Sequence, residues 1–376
     1  MEHTFWIWYP GDFELYHAMK QNFSRVERGF GWPAFWKSEG FRNRVAFRRT
    51  YELKQETSFT VFSNAIGHVL VSWENGEKKY PFGKKITAGP GKVKVSIHAG
   101  CVEAFPCAYV QGEVIHSDKT WMAEDYSQPL APVGVCKYFT KPEQKPTVWE
   151  YTEKECKPVK ISEVNGGVLA EFETELTAAV SVKDKRKTAL EKEKRKVVKN
   201  IENGYEGNAE EISDAGNCGR EGGSGDSCDV LEVFCGESED EALDLEHCYY
   251  SWQPDPVTNR CPCCAVRFAF IPNCKAEDVE ITAFYQYVDF PKRASFKCSD
   301  QKLNKIWEVA EHTFRLCSGI FFLDGVKRDK WIWSGDAYQS FFVNQYLLAD
   351  PDIDQRTLLA LRGNDPMTRH INTIMD

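Results

Sequence analysis

Leu323-Asp324-Gly325-Val326-Lys327-Arg328-Asp329-Lys330-Trp331-Ile332-Trp333-Ser334-Gly335-Asp336 is the stretch on which the reading of this chain turns. Three carboxylates, Asp324, Asp329 and Asp336, stand among one arginine, Arg328, and two tryptophans, Trp331 and Trp333. Carboxylates bridge hydroxyls, a guanidinium orients them, and flat rings cover the apolar face of a pyranose. On composition alone, a solvated loop with two core tryptophans is the simpler reading, so the surroundings decide.

Immediately upstream, Leu303, Ile306, Trp307, Ala310, Phe314 and Cys317 fall on one helical stripe, with Ser299 or Asp300 as N-cap and Gly319 just past the end. Downstream, Asp336 or Ser334 is placed to cap a second helix running through Leu348. Asp350-Pro351 reads as the N-cap and first position of a third, closing near Gly363. The stretch is therefore a connection of irregular backbone between two helices. Three short helices cannot enclose a core of their own, and the α region reads as unfinished at Asp376.

Everything further upstream reads as β structure. Val45–Leu53, Ser58–Phe62, His68–Trp73 and Lys92–Ile97 follow at sandwich-like spacing, with an Asn75-Gly76 hairpin signal and a Gly/Pro connection at Ala88-Gly89-Pro90-Gly91. Residues 1–140 are expected to form a jelly-roll-like β-sandwich. Phe30-Gly31-Trp32-Pro33-Ala34-Phe35-Trp36 reads as an aromatic anchor for the N-terminus or, alternatively, a stacking platform. Residues 141–295 are expected to form a second sandwich, with strands at Val159–Ile161, Gly167–Leu176, Asp229–Ser238, Ala265–Ile271 and Val279–Tyr287. A charged insertion at 183–228 interrupts it, basic first and then acidic and glycine-rich, read as a short helix followed by a disordered excursion. Residues 296–376 form the α region. The fold class is thus multidomain β + α: two β-sandwiches, then helices.

Composition removes several function classes. The 376-residue chain is 42% hydrophobic and 27% charged, as in an ordinary globular protein. Its net charge of -9 argues against a nucleic-acid partner, which is held through a basic surface. No apolar run approaches a membrane span of ~20 residues, and the N-terminus lacks the pattern of a signal peptide, so the expectation is a cytoplasmic protein without a membrane partner. The 14 cysteines are read as buried, reduced thiols. In the densest cluster Cys263 and Cys264 are adjacent and point to opposite faces of a strand, which does not suit a tetrahedral metal site.

The order sandwich, sandwich, helices, with Asp324, Arg328, Trp333, Gly335 and Asp336 at their observed spacing, resembles the bacterial α-L-rhamnosidases. These are inverting glycoside hydrolases with an (α/α)6 toroid behind β-sandwich domains, and their motif reads approximately Asp-x-x-x-Arg-Glu-x-x-x-Trp-x-Gly-Asp. The resemblance is strong over the last ~80 residues and architectural elsewhere. It implies hydrolysis of terminal non-reducing α-L-rhamnose residues in rhamnose-containing oligosaccharides or glycosides, with no cofactor. It further implies Asp329 as general acid, Asp324, Arg328 and Asp336 on the sugar hydroxyls, and Trp333, with Trp331, on the apolar face. A homo-oligomer is left open.

Two departures follow. The family's acid is usually a glutamate, and Asp329 is one methylene shorter, although the acid must come within about 3 Å of the glycosidic oxygen. An acid also needs a raised pKa, against which Arg328 works. The second carboxylate of an inverting site, roughly 6.5–9.5 Å from the acid, is a later glutamate in the family, and this chain ends first. The expectation is a C-terminally truncated, inactive fragment of the enzyme. The alternatives are a non-catalytic carbohydrate-binding protein and another six-hairpin glycosidase.

Overall fold

Apolar side chains recur at alternate positions from Arg44 to Gly112, the period of a strand with one face on a core. In the computed structural model, which describes residues 4–23, 41–126, 130–186, 231–327 and 330–362, those segments form two antiparallel sheets. One has the order β1 (Ile7–Trp8), β8 (Cys107–Gly112), β3 (Thr57–Ser63), β6 (Lys85–Ala88). The other has the order β10 (Ala131–Pro132), β9 (Met122–Glu124), β2 (Arg44–Leu53), β7 (Gly91–Gly100), β4 (Ile66–Trp73), β5 (Gly76–Tyr80). Val45, Phe47, Val69, Val71, Val95 and Ile97 from the larger sheet meet Phe59, Val61, Ile86 and Val110 from the smaller in one core, with Trp121. The expected hairpin is present between β4 and β5. Its loop is Glu74-Asn75, because Trp73 pairs with Gly76.

The smaller sheet is buried on both faces. Along β8, Ala108 and Val110 enter the sandwich core, while Cys107 and Tyr109 join Trp6, Trp8, Phe105 and Phe139 on the outer face. That outer face is covered by a helix, which corrects the all-β reading of residues 1–140. Tyr9-Pro10-Gly11, with Gly11 at φ +91°, turns the chain into α1 (Asp12–Phe23). Asp12, Phe13, Glu14, Leu15, His17 and Ala18 are all buried, so the helix has no wide polar face and carries little of the apolar/polar period by which helices are recognised. Phe13 stacks on Trp8 with ring centroids 5.0 Å apart. Arg42 ties down Asp12 at 3.1 Å and Asp125 at 2.6 Å. His17 Nε2 lies 2.7 Å from the Pro146 carbonyl. The aromatic segment Phe30–Trp36 lies outside the described residues.

The chain forms two compact units, Met1–Tyr151 with Val288–Asp376, and Thr152–Tyr287. The second unit is one continuous seven-stranded antiparallel sheet: β11 (Thr152–Cys156), β17 (Val279–Tyr287), β13 (Gly167–Asp184), β16 (Cys264–Pro272), β14 (Val233–Gly236), β15 (Tyr250–Trp252), with β12 (Lys160–Val164) also on β13. The 18-residue β13 pairs with β12 through its first part and with β17 through its last, and its register against β16 shifts between Glu171 and Leu176. Such a bulge bends the strand and raises its twist, so one long strand serves both halves of the sheet. A five-residue helix, α2 (Glu239–Leu243), is capped by Ser238, which accepts from the Glu241 amide. Of the cysteine cluster, Cys261 and Cys264 are buried beside Cys235, and Cys263 is half-exposed. Among the described residues no group of three or more His, Cys, Asp or Glu is placed to hold a metal ion. The insertion read at 183–228 lies outside the described residues from 187 onward; before that, Lys183 and Asp184 finish β13.

Back in the first unit, the C-terminal segment forms α3 (Gln301–Leu316), α4 (Ser334–Leu347) and α5 (Pro351–Arg362). Among the described residues no helix is long and apolar enough to cross a membrane.

Candidate functional site

The stretch between α3 and α4 is positioned from both ends. Asp300 caps α3, its Oδ1 accepting from the Lys302 amide at 2.8 Å and the Leu303 amide at 3.4 Å. Beyond Leu316 the helix stops. Cys317 N–H still donates to the Thr313 carbonyl at 3.1 Å, and the Leu323 amide returns to the Cys317 carbonyl at 2.9 Å. Residues 318–322 therefore make a tight reversal, with a bridge between Ser318 and Phe322. Helix α5 grips that reversal. Arg356 Nε donates to the Ile320 carbonyl at 2.8 Å, and the Phe322 amide donates to Thr357 Oγ1 at 3.1 Å.

The loop itself is closed by Asp324 and Trp331. The Asp324 amide donates to the Trp331 carbonyl at 3.0 Å, and the Trp331 amide donates to Asp324 Oδ1 at 2.9 Å. Lys330 reaches this closure through φ +48°, a left-handed conformation uncommon for a residue with a side chain. Asp324 thus holds the loop through one carboxylate oxygen. Arg328 and Asp329, the guanidinium and the expected acid, lie outside the described residues.

The two tryptophans part company. Trp331 is 0% exposed, packed with Ile332 among Leu15 and Ala18 of α1, Phe321, Ala337, Ala360 and Leu361. It presents no ring face to a ligand, which corrects the expectation of a second stacking surface. Burial wins because α1 supplies a large apolar partner that the sequence reading did not include. Trp333 is half-buried at the margin of the same cluster and occupies the N-cap position of α4. The second helix accordingly starts without the expected cap. It begins at Ser334, and Trp333 offers no side-chain oxygen to the first turn, so neither Ser334 nor Asp336 is the cap. Asp336 stands exposed in that first turn, beside an open Gly335. A carboxylate there is favoured by the helix dipole, and amides without a side-chain cap retain hydrogen-bonding capacity toward a ligand oxygen.

The third helix follows its expected start. Asp350 Oδ1 accepts from the Asp352 amide at 2.9 Å, and Pro351 opens α5. Asn344 of α4 locks the connection, donating to the Asp350 carbonyl and to Asp354 Oδ1, both at 2.8 Å.

The structure thus brings Asp324 and Trp331 together and sets Trp333 and Asp336 at the head of α4. The residues that hold this arrangement from behind, Leu15, Ala18, Arg356 and Thr357, were not among those singled out by sequence. For α1 a signal exists: Gly11 before the helix, acidic Asp12 and Glu14 in the first turn and Lys20 in the last are a helix start and stop. For Arg356 and Thr357, on a helix face turned to a loop, no local signal exists.

No family model matches the chain, and no curated protein matches it. Among solved structures it is similar to an α-L-rhamnosidase from Dictyoglumus thermophilum, at 14% identity and a TM-score of 0.35 over 96% of this chain and 44% of that one. A Streptomyces avermitilis α-L-rhamnosidase complexed with L-rhamnose gives 11% identity and a TM-score of 0.39 over 86% of this chain and 36% of that one. An Aspergillus terreus α-L-rhamnosidase gives 12% identity and a TM-score of 0.35 over 90% of this chain and 44% of that one. The chain spans less than half the length of each of these structures.

Proposed function

We propose that residues 324–336 form one wall of an α-L-rhamnosidase-type site. The observation that carries this reading is the closed Asp324–Trp331 loop set directly before α4, with Trp333 at the N-cap and Asp336 in the first turn of that helix. Asp329 protonates the leaving glycosidic oxygen. A second carboxylate, outside this motif, removes a proton from water for attack at the anomeric carbon from the opposite face. Asp336 and Arg328 hold hydroxyls, and Asp324 stands beside them at the closure of the loop. Negative charge near the ring favours the oxocarbenium-like transition state. Trp333 packs on the apolar face of the sugar, and Trp331 fixes the loop from within the core. The substrate class is an α-L-rhamnoside, which this chain binds without turning it over.

The test is calorimetric binding of L-rhamnose to the chain, with hydrolysis of p-nitrophenyl α-L-rhamnopyranoside measured beside it. Millimolar binding is expected, weakened roughly tenfold or more by Asp336→Asn and by Trp333→Ala, without turnover. Unchanged binding in both variants would sink the site assignment, and robust turnover would refute the inactivity. The shorter acid at 329 favours a second reading, a sugar-binding protein without catalysis, which predicts unaltered affinity after Asp329→Asn.

A further inference from the structure

Behind the motif lies a cavity of about 440 Å³ between α1, the 132–137 segment and α5. Its wall includes Gly11, Glu14, Gly134, Cys136, Gln355 and Arg356. Gly134 is there because the Trp8 indole lies against its Cα, and any Cβ would run into the ring. Two polar side chains in this wall are buried and incompletely bonded. Glu14 is 5% exposed and Arg356 3% exposed. Among the described residues, Glu14 Oε2 and Arg356 Nη2 have no hydrogen-bond partner, although Arg356 Nε is held by Ile320 and its Nη1 lies 3.8 Å from Cys136 Sγ. The guanidinium is fixed over the Tyr138 and Trp149 rings, 5.8 and 5.3 Å from their centroids. A buried carboxyl and a buried guanidinium thus line one cavity, and each keeps one polar atom without a hydrogen-bond partner. Such orphans are rare in native proteins and call for an occupant.

The occupant is constrained by size and charge. A single water takes about 30 Å³, whereas small-molecule pockets begin near 300 Å³. Around the cavity the cations Arg356, Lys119 and Lys137 face the acids Glu14 and Asp352, with Asp350 on Lys137 at 2.5 Å. With Glu14 ionised, three cations meet three acids, so a net ion gains little. A hydroxyl both donates and accepts, and so complements Glu14 and Arg356 together, whichever protonation state Glu14 holds. Phe5, Val133, Val135 and Leu359 supply apolar wall for a carbon skeleton. We propose that this cavity binds a neutral polyhydroxylated molecule of about monosaccharide size, whose hydroxyls accept from the Arg356 guanidinium and donate to the Glu14 carboxylate. This site stands apart from the 324–336 motif and does not rest on the function proposed for it.

The test uses the full chain with ¹⁵N-labelled arginine and follows the Arg356 side-chain resonances by NMR during titration with D-glucose, L-rhamnose, succinate and inorganic phosphate in turn. A saturable shift with a neutral sugar, at a millimolar dissociation constant, is expected. Glu14→Leu is expected to weaken it roughly tenfold. Gln355→Trp, at an exposed position on the rim, blocks entry without touching the buried pair and is expected to abolish it. Asp336→Asn is expected to leave it unaltered, which separates this site from the motif. No Arg356 shift at saturating sugar, a shift that survives Gln355→Trp, or a response to succinate or phosphate alone would overturn the proposal.

Discussion

Helix α1 holds three ionisable side chains, Asp12, Glu14 and His17, in its buried surface, and Phe13 beside them is 0% exposed. Helix α3 buries Leu316 alone, and Leu303, Ile306 and Val309 remain 48%, 54% and 53% exposed. The two helices are stabilised in opposite ways. Three surfaces close on α1: the outer face of the smaller sheet, the 321–337 stretch and α5. Helix α3 has an apolar stripe, but among the described residues only part of it, Trp307 and Phe314, joins a core, with Phe322 and Leu347. Its order leans on local devices: the Asp300 cap, the Arg315–Glu311 pair at 3.1 Å and the Cys317 C-cap. Burial depends on what surrounds a helix, so a polar helix can sit at the centre of a unit and an apolar stripe at its surface.

The largest expected effect tests the α1 side. Phe13→Ala removes a ring from a core of aromatics and should cost about 3–5 kcal/mol in urea unfolding. A loss below about 1 kcal/mol would show that α1 is not the packing centre described.

Next comes charge. Burial pushes the Glu14 carboxyl up to about 7 from its ordinary 4.5, with Arg356 opposing. An acid whose folded value is raised binds its proton more tightly when folded, so stability is greatest below about 4.5 and is lost as pH rises toward 7. Glu14→Gln should therefore stabilise the protein at pH 8, by an amount on the order of 3 kcal/mol, and leave it unaltered at pH 4. Burial lowers the His17 imidazole to about 4 from 6.5, against the Pro146 carbonyl that favours the charged ring. Its contribution has the opposite sign: present above 6.5 and lost as pH falls toward 4. Between pH 4.5 and 6.5 the two slopes offset each other in the native chain, and Glu14→Gln should expose a rise of stability with pH. Urea midpoints measured across that window decide it. An unaltered pH slope in the variant would remove Glu14 from the account.

Smaller effects probe α3. Asp300→Ala should cost about 1 kcal/mol, since two amide partners are lost at the helix start. Leu303→Ser should change stability by less than about 0.5 kcal/mol, because the side chain is half in water already. A large loss at Leu303 would mean that this stripe is covered in solution, and the contrast with α1 would fail.

The same contrast explains what could be read in advance. Period-two alternation carried β2, β3, β4 and β7, and the caps at Asp300 and Asp350 marked two helix starts correctly, because these signals are local. Helix α1 escaped because its neighbours, not its own pattern, bury it. Trp331 escaped for the same reason: next to Arg328 and Trp333 it reads as a ring for a sugar, and the cluster that makes it core includes Leu15 and Ala18, more than three hundred residues away in sequence. The cap expected at Asp336 or Ser334 failed over a shift of three residues or one in the start of α4, a margin local spacing does not resolve. The motif's composition was legible. The closure of its loop by Asp324 was not, since a carboxylate's choice between a backbone amide and a ligand depends on where the chain returns.

That closure has a consequence for how the loop can change over time. The latch between positions 324 and 331 is made of two amides, one carbonyl and one carboxylate oxygen, all supplied by its two end residues. Three of those four groups belong to the backbone, so a substitution of Trp331 keeps its amide and its carbonyl in the latch, whereas Asp324→Ala removes one of the two bonds and leaves the other. The latch is a property of the backbone path, with a single side chain, that of position 324, completing it.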